Sequence, residues 1–158
     1  MENDVIVPPK IERFEVQLNP TRSLGQDTFL NPLELATLIQ QRIQDQPYKK
    51  IVVWTGMIKL CRDTLHVWKK VFPDYYLAVD TSLDDAHLET FYNLTEKGIL
   101  FCASKHREGS DIPFLDTCVF LDYVESRGHQ VFVQCVGRVL RKDALGKKKH
   151  GLIIDVKA

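Results

Sequence analysis

Five short runs of apolar residues divide the chain, and segments with helical spacing lie between several of them. The runs are KIVVW (50–54), YYLAV (75–79), ILFCA (99–103), TCVFL (117–121) and GLIIDV (151–156). They are apolar at nearly every position instead of alternating, which predicts strands buried on both faces, as in parallel sheets covered by helices. We therefore predict an α/β domain of three layers, with a mainly parallel central sheet flanked by helices.

Four helices are predicted beside these strands. Asn31 begins the sequence NPLE, which has the cap, proline and glutamate of a helix start. Apolar residues at steps of three and four predict a second helix along MIKLCRDTLHVWKKVF (57–72). We expect Ser82 to cap a third helix, and the fourth to span residues 129–141.

The chain before the first helix has a different pattern. VIVPPK predicts an extended lead-in, and IERFEVQL (11–18) alternates like an edge strand. Residues 19–30 contain Pro, Gly, Asn and Asp, which are typical of a loop. A length of 158 residues suggests one domain. We therefore divide the chain into a lead-in segment with an edge strand, residues 1–30, and a domain, residues 31–158.

Composition limits the possible classes of protein. With 44% hydrophobic and 27% charged residues, the chain is not expected to be disordered. The net charge of zero gives no support for nucleic-acid binding, so any basic surface must be local. The four cysteines form no C-x-x-C pair, which favours reduced, buried thiols. No signal peptide or membrane span is evident, and we expect a soluble intracellular protein.

Polar residues follow the predicted strands at the edge where α/β sheets bind ligands. These strand ends are Thr55-Gly56, Thr81-Ser82, residues 104–112 and Asp122. The third, SKHREGSDI, is strongly polar. It is either a solvated connection or a binding loop in which Gly109 lets backbone N–H groups approach an anion.

The segment QCVGRVLR (134–141) places a glycine and two arginines on one side of the fourth helix. At 100° per residue, one face holds Gln134, Gly137, Arg138 and Arg141. A glycine within a helix costs about 1 kcal/mol against alanine, but it lets a ligand approach the backbone. The guanidinium groups suit phosphate oxygens. An amphipathic surface helix with solvated arginines is the alternative.

Taken together, the two stretches resemble a known family. EGSDIP, followed about twenty residues later by Q-x-x-G-R-x-x-R, resembles the fifth and sixth signature motifs of superfamily-2 helicases. KKIVVWTGMIKLCRDTL is compatible with the weaker fourth motif. The resemblance covers roughly residues 30–156 and implies the second RecA-like motor domain. In form, the motifs look closest to those of helicases from large DNA viruses.

The resemblance implies that ATP and Mg²⁺ bind in a cleft between two RecA-like domains, held mainly by the first. Arg138 and Arg141 would then be arginine fingers that reach the β- and γ-phosphates, with Arg141 stabilising charge in the transition state. Gln134 would contact the γ-phosphate or the attacking water. The residues expected to line the nucleotide are Gly109, Asp111 and Gly137.

The family also implies contacts to a DNA or RNA strand or duplex. The residues expected to make them are Thr55, Gly56, Thr81, Ser82, Ser104 and Lys105. Ala103 departs from the threonine that the fifth motif often has, and Ser104 is expected to substitute for it. The cations Lys147–Lys149 either contact nucleic acid or form a solvated turn.

Two family motifs are missing from this sequence. It contains no G-x-x-x-x-G-K-[ST] and no D-E-x-[HD]. We therefore expect the second motor domain of a longer helicase, inactive alone, whose partner is the N-terminal RecA-like domain of the same polypeptide. Residues 1–30 would include an edge strand from the interdomain linker. A non-catalytic RecA-like nucleic-acid-binding or regulatory module is the alternative. A Rossmann enzyme fits poorly, because G-x-G-x-x-G is absent.

Overall fold

The computed structural model describes residues 7–15, 32–55, 58–81, 87–103, 112–123, 139–141, 143 and 145–157. The strands are β1 (Pro9–Glu15), β2 (Lys50–Trp54), β3 (Tyr76–Asp80), β4 (Gly98–Cys102), β5 (Thr117–Tyr123) and β6 (Gly151–Lys157). The helices that lie wholly within these ranges are α1 (Pro32–Arg42), α2 (Ile58–Val71) and α3 (Leu88–Asn93).

The described strands form one sheet in the order β1-β6-β5-β2-β4-β3. Every pairing between them is parallel. Each of the five apolar runs found in the sequence lies within or around a strand, because a strand buried on both faces has no polar side to show. The predicted α/β class is therefore confirmed.

Helices cover both faces of the sheet, which gives three layers. On one face, Ile39 of α1 and Trp68 of α2 pack against Ile51, Phe101 and Ile154. On the other face, the core contains Phe91 of α3 and Val139, packed with strand residues such as Val52, Leu100 and Phe120. The side chains of β2, β3, β4, β5 and β6 thus alternate between two apolar layers. Among the described residues, no helix combines the length and apolar character needed to cross a membrane.

Among the described residues, three cysteines are buried and form no disulfide, as the sequence predicted: Cys61, Cys102 and Cys118. Cys135 lies outside the described residues.

The strand β1 ties the lead-in segment to the sheet. It pairs in parallel with β6, from Pro9 opposite Gly151 to Glu15 opposite Lys157. A salt bridge also joins β1 to α1, since a guanidinium nitrogen of Arg42 lies 3.3 Å from a carboxylate oxygen of Glu12. The alternating pattern thus predicted an edge strand correctly, although the strand begins two residues earlier.

Two helix boundaries differ from the sequence prediction. Helix α3 begins at Leu88, and the residue before it, His87, has a left-handed φ of 67°. Ser82, the predicted cap, lies outside the described residues. In the predicted fourth helix, Val139 is helical, but Arg141 lies beyond the end of the helix. Its backbone makes a single β-type pairing there. The Arg141 carbonyl accepts a hydrogen bond from Lys148 instead of continuing a helical ladder.

Gly151 permits a close approach between the start of β6 and the end of this fourth helix. A Cβ atom at Gly151 would lie 2.8 Å from the carbonyl oxygen of Val139 and 2.8 Å from the Leu140 side chain. The backbone there cannot easily move, because the Val139 carbonyl also accepts a hydrogen bond from Lys148. A glycine is therefore needed for packing at this position.

We predict that Gly151→Ala lowers the free energy of unfolding by about 1–3 kcal/mol, the usual cost of overpacking a core. Urea denaturation followed by circular dichroism measures it. Gly146 offers a control, because its φ is +70° and a Cβ atom added there would have no neighbour within 4 Å. Gly146→Asn should cost less than about 1 kcal/mol, because Asn tolerates this left-handed conformation better than other residues with a side chain. An equal loss in both variants would contradict the packing argument.

Candidate functional site

An extensive polar cluster lies at the edge of the sheet where β2 and β5 begin, which we call the amino edge. At its centre, Asp116 is fully buried. Its carboxylate accepts the backbone N–H groups of Tyr48 at 2.9 Å, Lys49 at 2.9 Å and Lys50 at 3.2 Å. The Thr117 hydroxyl donates a further hydrogen bond. Burial raises the pKa of Asp116, while these four donors oppose the rise. One carboxylate thus fixes the start of β2 beside the start of β5.

Lys50 enters the same edge from β2 and is also fully buried. Its ammonium donates to the carbonyl oxygens of Tyr92 at 3.2 Å, Leu94 at 2.9 Å and Pro113 at 2.9 Å. An ammonium has three donors, so all of them are used. Burial lowers the pKa of Lys50 to about 8.

Lys148 is a second buried lysine, in the segment that precedes β6. Its ammonium donates to the carbonyl oxygens of Leu115 at 2.7 Å, Val139 at 2.5 Å and Arg141 at 2.5 Å. Burial lowers its pKa to about 8, against the opposing charges of Asp116 and Asp143. A cation here satisfies carbonyl groups that the end of the fourth helix leaves open.

Asp143 holds the loop that carries Lys148. It accepts the N–H groups of Lys147 and Lys148, both at 3.0 Å, and a short hydrogen bond from the Tyr48 hydroxyl. Burial would raise the pKa of Asp143, but these donors together hold it below its usual value. The hydroxyl and backbone N–H of Tyr48 therefore join Asp143 to Asp116.

The short segment of residues 113–115, which contacts both buried lysines, makes a strained turn. Phe114 has a positive φ of 67°. This backbone conformation is unfavourable for any residue that has a side chain. Lys50 binds the carbonyl before it, at Pro113, and Lys148 binds the carbonyl after it, at Leu115. The Phe114 ring also contacts Tyr48, with ring centroids 4.9 Å apart. These contacts fix the segment that directly follows the predicted fifth motif.

The structure describes three of the residues predicted for the site, and it places them at two different edges. The Arg141 side chain is exposed. Its backbone lies at the amino edge, where the strands begin, because Lys148 binds both the Arg141 carbonyl and the Leu115 carbonyl just before β5. Thr55 and Thr81 are buried and follow the carboxyl ends of β2 and β3. The sheet therefore separates Arg141 from the two threonines.

Thr55 has an internal hydrogen-bonding role in this structure. Its hydroxyl donates to the carbonyl of Cys102 at 3.0 Å, and its N–H donates to the same oxygen at 2.9 Å. These bonds continue the pairing of β2 with β4 by one residue beyond the strands.

The other predicted site residues lie outside the described part of the chain, so their roles stay predictions. They are Gln134, Gly137 and Arg138 for catalysis and nucleotide binding, Gly109 and Asp111 for the nucleotide, and Gly56, Ser82, Ser104 and Lys105 for nucleic acid.

Sequence reasoning missed the buried lysines. Within Lys147–Lys149, the expected nucleic-acid contact or solvated turn does not describe Lys148, which is buried, while Lys147 and Lys149 are exposed. The available signal was weak: Lys50 opens an apolar strand and Asp116 directly precedes another. Neither pattern shows that a lysine is surrounded by carbonyl groups.

Comparisons with known proteins support the architecture. No family model and no curated protein matches the sequence. Domain 2 of the DEAD-box helicase Mss116p, bound to an RNA duplex, has a TM-score of 0.63 at 15% identity, covering 94% of this chain and 54% of that chain. The type ISP restriction-modification enzyme LlaBIII, bound to DNA, has a TM-score of 0.62 at 22% identity, covering 95% and 12%.

A fragment described as an HsdR subunit of a type I restriction enzyme from Vibrio vulnificus YJ016 has a TM-score of 0.68 at 18% identity, covering 96% of this chain and 32% of that chain. This chain thus spans about half or less of the length of these three structures. The chain has a RecA-like α/β fold, as the motifs had indicated, and its similar structures include helicase domains.

The lowered pKa of Lys50 makes stability depend on pH. Its pKa is about 8 in the folded protein, against an ordinary value of 10.5. Between pH 8 and pH 10.5 the unfolded chain therefore binds more protons than the folded protein. Stability from Lys50 therefore rises with pH across this window and is constant below it. We compare the free energy of unfolding of the wild type with that of Lys50→Met. We predict that the difference, wild type minus variant, grows by roughly 1–2 kcal/mol from pH 7 to pH 9.5.

Urea denaturation of both proteins at several pH values measures this difference. Effects of the cysteines and tyrosines cancel, because both proteins contain them. A difference that stays constant or shrinks over the window would contradict the assignment of a buried, easily deprotonated lysine.

Proposed function

We propose that this chain is the second motor domain of an ATP-dependent nucleic-acid helicase or translocase of superfamily 2. It would supply arginine fingers to ATP held by a first RecA-like domain, and part of the nucleic-acid track. One observation carries the proposal beyond the fold. The chain after the fifth motif, at Leu115, and the end of the sixth motif, at Val139 and Arg141, meet on the ammonium of Lys148.

The amino edge of the sheet suits the triphosphate side of such a cleft. Arg141 and Lys147 are exposed cations there, whereas the carboxylate of Asp143 is occupied by three donors. These residues fit a polyanion better than a cation. ATP with Mg²⁺ would supply the γ-phosphoryl group for hydrolysis. Arg141, together with Arg138 and Gln134, would contact its phosphates, and Gly109, Asp111 and Gly137 would line the nucleotide.

The carboxyl edge is proposed for the nucleic acid. Support comes from the two similar structures that contain RNA or DNA. Because Thr55 donates internally, we infer that it shapes the strand end, while Gly56, Ser82, Ser104 and Lys105 would offer donors to phosphates. Thr81 would lie beside them after β3. The two ligands would thus meet opposite edges of one rigid sheet.

The absence of a phosphate-binding loop sequence leaves a second candidate, a non-catalytic RecA-like nucleic-acid-binding or regulatory module. The two candidates differ in ATP hydrolysis. The module would bind strands in a salt-dependent way with no dependence on a partner ATPase domain.

We predict that Arg141→Ala lowers kcat for ATP hydrolysis by about 10³–10⁵-fold in the polypeptide that joins this domain to a first motor domain, the range known for arginine fingers. Strand binding should change less than about threefold, since the phosphate contacts to nucleic acid lie at the other edge. Steady-state hydrolysis and fluorescence anisotropy with a labelled oligonucleotide measure the two effects.

Arg62→Ala is the matched control, because it removes an exposed arginine from α2 and should leave kcat unchanged. The isolated chain should show no hydrolysis at all. Wild-type turnover by the Arg141→Ala variant would refute the role of this arginine, and strand binding without any hydrolysis by the joined polypeptide would favour the module.

A further inference from the structure

We propose that Lys148 is a positioning residue for Arg141, which fixes the backbone of this arginine to the segment after the fifth motif. The inference rests on the proposed function, because it assigns a residue that prepares the same arginine for ATP. Lys148 lies seven residues beyond Arg141 and outside both motifs.

The first argument is the geometry around the ammonium. A single charged group joins the carbonyl oxygens of Val139 and Arg141 to that of Leu115. The two segments are 24 residues apart or more in sequence, counted from Leu115 to Val139. A solvated lysine could not perform this role, but Lys148 is only 6% exposed.

The second argument is that Lys148 is itself held in place. Its backbone N–H donates to Asp143, and Asp143 accepts the Tyr48 hydroxyl. The Tyr48 N–H donates to Asp116, which directly precedes β5. Successive hydrogen bonds therefore connect the backbone of Arg141, through Lys148, Asp143 and Tyr48, to the start of β5.

The third argument concerns the backbone at Arg141. The fourth helix has ended before this residue, since Leu140 lies in a turn, and the Arg141 carbonyl accepts its hydrogen bond from Lys148. The Leu140 carbonyl accepts the N–H of Val7 at 2.6 Å, and Lys148 binds the carbonyls on either side. Removal of the ammonium would take one hydrogen bond from each of two carbonyls in this run of three.

The consequence is a specific kinetic effect. A catalytic group displaced by about 1 Å can cost about 10²-fold in rate. In the polypeptide that includes a first motor domain, Lys148→Met should therefore lower kcat for ATP hydrolysis by about 10–100-fold. The KM for ATP and the strand affinity should change less than about threefold, because the first domain and the other edge of the sheet supply that binding.

A loss of stability alone must be separated from this effect. Ile39 lies in α1, fully buried on the opposite face of the sheet from Val139. Ile39→Val or Ile39→Ala, chosen to match the stability loss of Lys148→Met, should keep wild-type kcat. Lys70→Met, which removes an exposed lysine from α2, is the control for charge.

The decisive measurement is a double-mutant cycle with Arg141→Lys, which keeps the charge but loses the planar fork. If Lys148 acts through Arg141, Lys148→Met should reduce kcat less than about threefold further in the Arg141→Lys background. If Lys148→Met does not fold, Lys148→Gln retains two donors and replaces it in the cycle.

The outcomes separate the two hypotheses. Multiplicative losses in the cycle, an unchanged kcat in Lys148→Met, or an equal loss in the stability-matched Ile39 variant would each overturn the positioning role while leaving the motor assignment in place. A wild-type polypeptide that does not hydrolyse ATP would overturn both.

Discussion

A buried ammonium group must find hydrogen-bond acceptors, and this constraint organises one whole edge of the molecule. Lys50 and Lys148 each bind three carbonyl oxygens, and each ammonium joins two chain segments that are distant from one another in sequence. The negative charges of Asp116 and Asp143 favour the charged form of Lys148, and Asp116 also accepts backbone donors at the start of β2. The loops at this edge are therefore fixed to the sheet by charged groups and not only by apolar packing.

The sheet has two different edges, and under the proposed function each would meet one ligand. The amino edge is a connected set of buried polar contacts with Arg141 at its surface. The carboxyl edge, after β2 and β3, is where Thr55 and Thr81 lie. Under the proposed function, the rigid parallel sheet between them would transmit a change at the nucleotide to the strand.

The sheet could be predicted because its strands are apolar on both faces, a pattern that depends on local sequence alone. Runs such as ILFCA and TCVFL need no knowledge of their neighbours. The roles of Lys50 and Lys148 could not be predicted in this way, because the carbonyls of Pro113 and Leu115 reach them only after folding. The same reason explains Arg141, whose helix ends early where Lys148 takes its carbonyl. The motif residues 104–111 and 134–138 lie outside the described structure, so their roles rest on the sequence resemblance.

The most direct test of the account is a crystal structure of the polypeptide that includes a first motor domain, with a non-hydrolysable ATP analogue, Mg²⁺ and a bound oligonucleotide. The account predicts that the Arg141 guanidinium lies about 2.7–3.2 Å from γ-phosphate oxygens, with the oligonucleotide at the opposite edge, beyond Thr55 and Thr81. A nucleotide bound away from the amino edge, or Arg141 directed to a carboxylate of its own domain in that complex, would contradict it.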